Sequence, residues 1–191
     1  MFIQKKKYYL FIENTREFNL NLIKIRNKIN IIYRNKNTTD KIRDLLNFRN
    51  NCKKRGVNFF VANDKKLLCK LNADGLYISA HNENLLLNIF SKSKYKIIGS
   101  AHNQKEVDIK IKQGCKTIIY SRLFKTGYDY KIGYLGVIKF NIISHRLKLN
   151  LVPLGGINEK NLSKLNSVVS DSFACLSAIK KKPAKIINRL F

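Results

Sequence analysis

Eight short apolar runs punctuate the chain: 8–13 (YYLFIE), 29–33 (INIIY), 57–62 (VNFFVA), 75–79 (GLYIS), 96–99 (KIIG), 117–121 (TIIYS), 149–154 (LNLVPL) and 173–176 (FACL). Most are near-continuously hydrophobic rather than alternating, the pattern of strands buried on both faces of a parallel sheet. Between them lie segments with helical spacing or helix signals. Phe18, Leu22 and Ile25 form a blurred helical face over 18–28. A clearer helix follows, capped by Thr39 or Asp40, with Ile42, Leu45, Leu46 and Cys52 on one side and Gly56 as its stop. Shorter helices are predicted over 66–71 and 83–90. Asn103 and Glu106 make an asparagine variant of the capping box for a helix ending at Gly114. Helices are also predicted over 137–147, from Asn158 with Leu162 and Leu165, and over 180–191 as a basic closing segment. The stretch 127–136, with three glycines, three tyrosines and no apolar period, reads as a loop.

Alternation of eight strands with eight helical segments predicts an α/β fold, a compact (β/α)8 barrel forming a single domain over 1–191. A doubly wound open sheet is the runner-up, because the chain falls slightly below the usual barrel length of roughly 200 residues.

Composition adds one unusual feature. Thirty-eight Lys and Arg against 12 Asp and Glu give a net charge of +26. The bases are dispersed, Asn and Ile are also abundant, and no interleaved aromatic platform accompanies them. The excess therefore reads as compositional bias, with no specific nucleic-acid partner expected. A positive field also suits a pocket for phosphorylated small molecules. No apolar run approaches a membrane span, and 1–13 reads as a first strand rather than a signal peptide, so a cytoplasmic location is expected. Four widely spaced cysteines (Cys52, Cys69, Cys115, Cys175) and three histidines offer no zinc-ligand spacing and read as reduced thiols. Oligomeric state is left open.

In such a barrel the chemistry sits where strands run into the following loops. Those positions are Arg34, Lys36, Asn63, Asp64, Asn82, Ser100, His102, Thr126, Gly156 and Ser177. The set is cationic and polar, without a nucleophilic triad or a carboxylate pair. Arg34 and Lys36, two apart after a strand, suit a diphosphate clamp. Asp64 suits a Mg2+ ion that also takes phosphate oxygens. Gly155 and Gly156, ahead of a helix expected to start at Asn158, expose backbone donors for a phosphate. The last strand end, at Ser177 and Ala178, offers a second such cradle.

These segments resemble the thiamine phosphate synthase and thiazole tautomerase family over nearly the whole chain. The resemblance is carried by IIYRNKN (31–37), GVNFFVAND (56–64), ADGLYIS (73–79), KIIGSAH (96–102), LFKT (123–126), LVPLGGINEKN (151–161) and FACLSAI (173–179). It implies an enzyme that joins hydroxymethylpyrimidine diphosphate to a thiazole phosphate with release of pyrophosphate. By position it implies Arg34, Lys36 and Ser100 on the diphosphate, and Asn63 on the pyrimidine. It likewise implies Asp64 on Mg2+, with Thr126, Gly156, Leu176 and Ser177 on the thiazole phosphate. The chain departs from the pattern at Ile32, where a Gln is expected, and at Asn82, where a second metal-binding Asp is expected. The loop after the sixth strand is KTGYDYKIG (125–133), in which Lys131 or Lys125 stands in for the family's Lys. Arg122 takes a position where synthases have Pro and tautomerases His. The alternatives are a tautomerase-like or non-catalytic thiazole-phosphate binder and, from another class, a basic RNA-associated protein.

Overall fold

The computed structural model describes residues 7–23, 25–35, 40–127 and 133–175. Eight parallel strands close in sequence order: β1 (Lys7–Ile12), β2 (Ile29–Tyr33), β3 (Asn58–Ala62), β4 (Gly75–Ile78), β5 (Lys96–Ala101), β6 (Thr117–Ser121), β7 (Asn150–Leu154) and β8 (Ser172–Cys175). The ring shuts through Tyr8 opposite Phe173 and Leu10 opposite Cys175. The expected (β/α)8 barrel is the fold, and the open sheet is excluded by this closure.

Among the described residues four crossovers carry α-helices: α1 (Ile42–Lys54), α2 (Lys65–Lys70), α3 (Gln104–Lys112) and α4 (Gly136–Leu147). Three segments expected as α-helix are 3-10 turns instead. Among the described residues the 18–28 region holds only Leu20–Leu22, with a second such turn at Thr15–Glu17 ahead of it; the 83–90 region becomes Leu85–Lys92, and the segment after Asn158 becomes Leu162–Ser167. Asparagine side chains account for the difference. Asn14, Asn19, Asn84 and Asn158 each accept a hydrogen bond from the N–H two residues on, at 2.9–3.0 Å. Such local bonds draw the backbone into turns in place of the helical ladder. Short crossovers of this kind let a chain of this length close a barrel.

α1 starts one residue later than expected, with Lys41 as its N-cap and no side-chain cap bond. Asp40 turns away to accept the Thr15 N–H at 3.0 Å and the Tyr33 hydroxyl at 3.3 Å. Thr39 lies outside the described residues, as does the closing helix expected over 180–191. Phe48 rather than Leu46 completes the buried face of α1; Leu46 is 36% exposed. Gly56 ends the helix in the left-handed region at φ +67.

Two apolar layers hold the barrel. The outer one lies between strands and crossovers and includes Ile31, Phe59, Leu76, Ile118, Phe140 and Phe173. The inner one fills the barrel axis with Tyr9, Phe11, Ile32, Phe60, Tyr77, Ile98, Ile119, Val152 and Ala174. Side chains alternate along a strand, so the residue two before each of these faces the same way. That places Lys7, Asn30, Asn58, Gly75, Lys96, Thr117, Asn150 and Ser172 as the lowest inward ring. It is polar except for Gly75, whose missing side chain leaves room for the Phe60 ring: an added Cβ would lie 2.5 Å from Phe60 Cε1. Below β3 and β4 the nearly buried Arg49 donates to Asp74 Oδ1 at 2.9 Å, and the Phe59 N–H donates to Asp74 Oδ2 at 2.7 Å.

Candidate functional site

The upper ends of the strands gather most of the residues singled out in the sequence, in three groups. The first stands on β2, β4 and β5. Tyr77, on the barrel axis, donates its hydroxyl to Ser100 Oγ at 2.8 Å. The Arg34 guanidinium approaches the same phenol and sits 6.0 Å from the centre of the Phe11 ring. Burial pushes the Tyr77 phenol up, against the pull of Ser100 and Arg34. It therefore stays a neutral donor. One cation and two hydroxyls, floored by aromatic rings, suit an anion. Tyr77 was not anticipated as a site residue: as an inward apolar-run residue it reads as core, and only its partner Ser100 signals otherwise.

The second group joins the ends of β3 and β4. Asn63 takes a left-handed conformation, φ 58. Its Oδ1 accepts from the Ser79 N–H at 3.0 Å and from Asn82 Nδ2 at 3.1 Å, while its Nδ2 donates to Ser79 Oγ at 3.0 Å. The loop carrying Asn82 is fastened from below by α3. Lys110, fully buried, donates to Asn82 O at 2.7 Å and to Gln113 Oε1 at 2.9 Å. Gln113 Nε2 donates to the carbonyls of Asn82 at 2.8 Å and Asn84 at 3.1 Å. Burial pushes the Lys110 ammonium pKa down, against Cys115, Glu106 and Glu83.

Metal binding by this group looks different from the expectation. Asp64 Oδ1 caps α2, accepting the Leu67 N–H at 2.9 Å. Asn82 Oδ1 accepts the Asn84 N–H at 3.1 Å and its amide nitrogen is turned to Asn63, so the amide oxygen expected to replace a carboxylate is already engaged. Among the described residues no three His, Cys, Asp or Glu side chains group as a metal site. The group therefore offers Asp64 as a single carboxylate for a cation and does not make a preformed two-ligand metal centre.

The third group lies over β6 and β7. Arg122 Nη1 donates to Thr126 Oγ1 at 2.9 Å, which places a guanidinium beside the threonine expected at a phosphate. Gly155 and Gly156 have φ of +101 and +68. A Cβ on Gly155 would sit 3.1 Å from Arg122 Cβ, and one on Gly156 would sit 2.5 Å from Phe124 O. The glycine pair is thus required by the close approach of its own chain to 122–125, not by space for a ligand. The N–H groups of Gly156 and Ile157 donate to no described residue, which leaves them open to an anion. The helix dipole expected from Asn158 is absent, since Leu162–Ser167 is a 3-10 turn. Arg122 was legible only as a departure from the family pattern; its contact with Thr126 is what the sequence could not show.

Near the first two groups the His81 and His102 rings stack with centroids 6.1 Å apart. Glu106 Oε2 accepts from the His102 N–H at 2.7 Å and contacts its Nδ1 at 3.0 Å. The expected capping box is half present: Asn103 Oδ1 accepts the Glu106 N–H at 2.9 Å, but Glu106 reaches back to His102 rather than to Asn103. Burial alone would raise the Glu106 carboxyl; the His102 hydrogen bonds and the neighbouring imidazoles bring it below its ordinary value. Lys36, Lys131, Leu176 and Ser177 lie outside the described residues, so their positions around these groups remain expectations.

The sequence pattern of the family described as thiamine monophosphate synthase matches residues 6–179. The chain belongs to that family. Among curated relatives it is 28% identical over 152 residues to a thiamine-phosphate synthase of Prochlorococcus marinus, covering 78% of the chain and 44% of the relative. It is 30% identical over 133 residues to one of Bacillus mycoides, covering 67% of the chain and 59% of the relative. The chain thus spans about half the length of these relatives. Among solved structures, a thiamine phosphate pyrophosphorylase from Pyrococcus furiosus superposes with a TM-score of 0.72 at 20% identity, covering 98% of each chain. That likeness supports the barrel.

Proposed function

We propose that the chain, working as one barrel domain over 1–191, is a thiamine phosphate synthase. It would transfer a hydroxymethylpyrimidine group from its diphosphate to a thiazole phosphate, forming thiamine phosphate and pyrophosphate. The observation that carries this reading is the presence of two separate anion-ready groups on one mouth. Arg34, Tyr77 and Ser100 suit a diphosphate, while Arg122, Thr126 and the Gly156 and Ile157 N–H groups suit a monophosphate. Two phosphorylated substrates need two such places.

In the reaction the C–O bond to the diphosphate breaks and its electron pair leaves with pyrophosphate. The thiazole nitrogen lone pair then forms the new C–N bond to the methylene carbon. The work of the protein is to orient the substrates and stabilise the developing negative charge, to which fixed donors contribute. Arg34 and Ser100, with Lys36 as an expected partner, would take the diphosphate oxygens. Asn63, whose one remaining amide hydrogen is not used by Ser79, would face the pyrimidine. Mg2+, held by Asp64 and the diphosphate itself, would offset leaving-group charge. Free thiols suit a reducing compartment such as the cytoplasm.

A second reading is a thiazole-phosphate tautomerase or binder that keeps only the Arg122 and Thr126 side. It is favoured by the engaged amide oxygen of Asn82 and by Ile32, which lies wholly inside the barrel core. Complementation separates the two. A strain lacking thiamine phosphate synthase should grow without thiamine when it expresses this chain, and should not when it expresses Arg34→Ala at equal level. Absence of rescue by well-expressed wild type would favour the second reading.

A further inference from the structure

The end of the barrel opposite these groups holds a cavity of about 330 Å³, within the range of roughly 300–1,000 Å³ typical of ligand sites. Its rim carries four lysines, Lys7, Lys94, Lys96 and Lys116. Lys7 and Lys96 begin strands whose inward residues, Tyr9 and Ile98, belong to the barrel axis, so both sit on the inward-facing ring. This is not the packed apolar bottom layer usual for the fold.

The electrostatics of this mouth are one-sided. Among the described residues Lys7, Lys96 and Lys116 have no acidic partner. Lys94 donates to Asn72 Oδ1 at 2.9 Å and lies over the Tyr95 ring. Two carboxylates are near. Asp74 is occupied by Arg49 and the Phe59 N–H, and Asp171 sits close to Tyr9 and accepts from Ser172 Oγ at 2.8 Å. Cations converging on a concave site repel one another unless a counter-charge enters. The neutral groups are ready to help: Asn58 Nδ2 donates to Asn30 Oδ1 at 2.8 Å, which fixes both amides across the cavity floor.

We propose that this lower mouth is a further anion site, separate from the two on the upper mouth, which binds a small phosphate-bearing polyanion on the lysines. A cavity of this volume, open at a rim of exposed lysines, favours a compact free anion over a nucleic-acid strand. The inference does not depend on the reaction assigned to the upper mouth.

Inorganic pyrophosphate is the probe, titrated calorimetrically without Mg2+ at about 0.15 M salt. Because the upper mouth has its own cations, the titration uses Arg34→Ala/Arg122→Ala as background. This double variant should still bind pyrophosphate. Adding Lys7→Gln/Lys96→Gln should weaken that binding at least tenfold, and Lys7→Arg/Lys96→Arg should restore it while far-UV CD stays unchanged throughout. No binding by the Arg34→Ala/Arg122→Ala background, or binding there that Lys7→Gln/Lys96→Gln leaves unaltered, would overturn the proposal. Neither result would touch the upper-mouth reading, whose two arginines are substituted in every arm and whose remaining donors are the same in all of them.

Discussion

Gly156→Ala should destabilise the protein through its own backbone rather than through loss of a ligand, and the size of the effect can be worked from three glycines. At Gly156 the backbone is left-handed, φ +68, and an added methyl would lie 2.5 Å from Phe124 O, 2.6 Å from Phe124 C and against Lys125 O. Left-handed strain for a residue with a Cβ costs about 1–2 kcal/mol. Forcing a methyl into a packed backbone costs about 1–3 kcal/mol more. The sum, about 3 kcal/mol, lowers Tm by roughly 6–12 °C for a domain of this size. Gly136 has φ +69 but nothing within 4 Å of the added Cβ, so Gly136→Ala isolates the conformational part, about 1–2 kcal/mol. Gly127 has neither a positive φ nor a neighbour, and Gly127→Ala should shift stability by less than about 1 kcal/mol in either direction. Thermal denaturation by CD without substrates ranks the three. If Gly156→Ala melts no lower than Gly136→Ala, the close approach of 155–156 to 122–125 is not what demands glycine there.

Other perturbations address the site and the scaffold. Arg34→Ala should lower kcat/KM for the diphosphate substrate by roughly 100-fold or more, with little change in Tm. Arg122→Ala should raise the Kd for the thiazole phosphate in calorimetry and leave diphosphate binding near wild type. Asp74→Ala should cost about 3–5 kcal/mol in urea unfolding, because the buried Arg49 loses its counter-charge. At pH 8 iodoacetamide should modify Cys69 alone in the native protein, since Cys52, Cys115 and Cys175 are buried and burial pushes their thiols up to about 12. A folded-state pKa above the unfolded value near 9 means the folded state holds the proton more tightly. The corresponding stability is complete below pH 9 and is lost as pH rises towards 12. Urea midpoints for wild type and Cys175→Ala across that range should converge.

The barrel was legible because its strands are hydrophobic on both faces, and that signal survives any crossover between them. The crossovers were less so. Phe18, Leu22 and Ile25 carry a helical spacing, but Asn19 holds the Asn21 N–H and leaves a 3-10 turn at Leu20–Leu22. Asn158 behaves likewise, which removes the dipole expected behind Gly156. At the site, Arg34, Asp64, Ser100 and Thr126 could be named from strand-end position. The engagement of Asn82 with Asn63 and Asn84 could not, because it depends on Lys110 and Gln113 lifting the loop from a helix far along the chain. Arg122 could be seen as a departure, and only its 2.9 Å bond to Thr126 sets it beside the threonine proposed to meet a phosphate.

On the proposed reading two phosphorylated substrates meet on the upper mouth, and pyrophosphate leaves as the pyrimidine group of one is transferred to the other. The most direct measurement incubates purified protein with hydroxymethylpyrimidine diphosphate, thiazole phosphate and Mg2+, and quantifies thiamine phosphate and pyrophosphate by mass spectrometry. Wild type should yield equal amounts of both products in a Mg2+-dependent reaction, and Arg34→Ala should yield both roughly 100-fold more slowly or less. Folded wild-type protein that binds the thiazole phosphate yet forms neither product would contradict it.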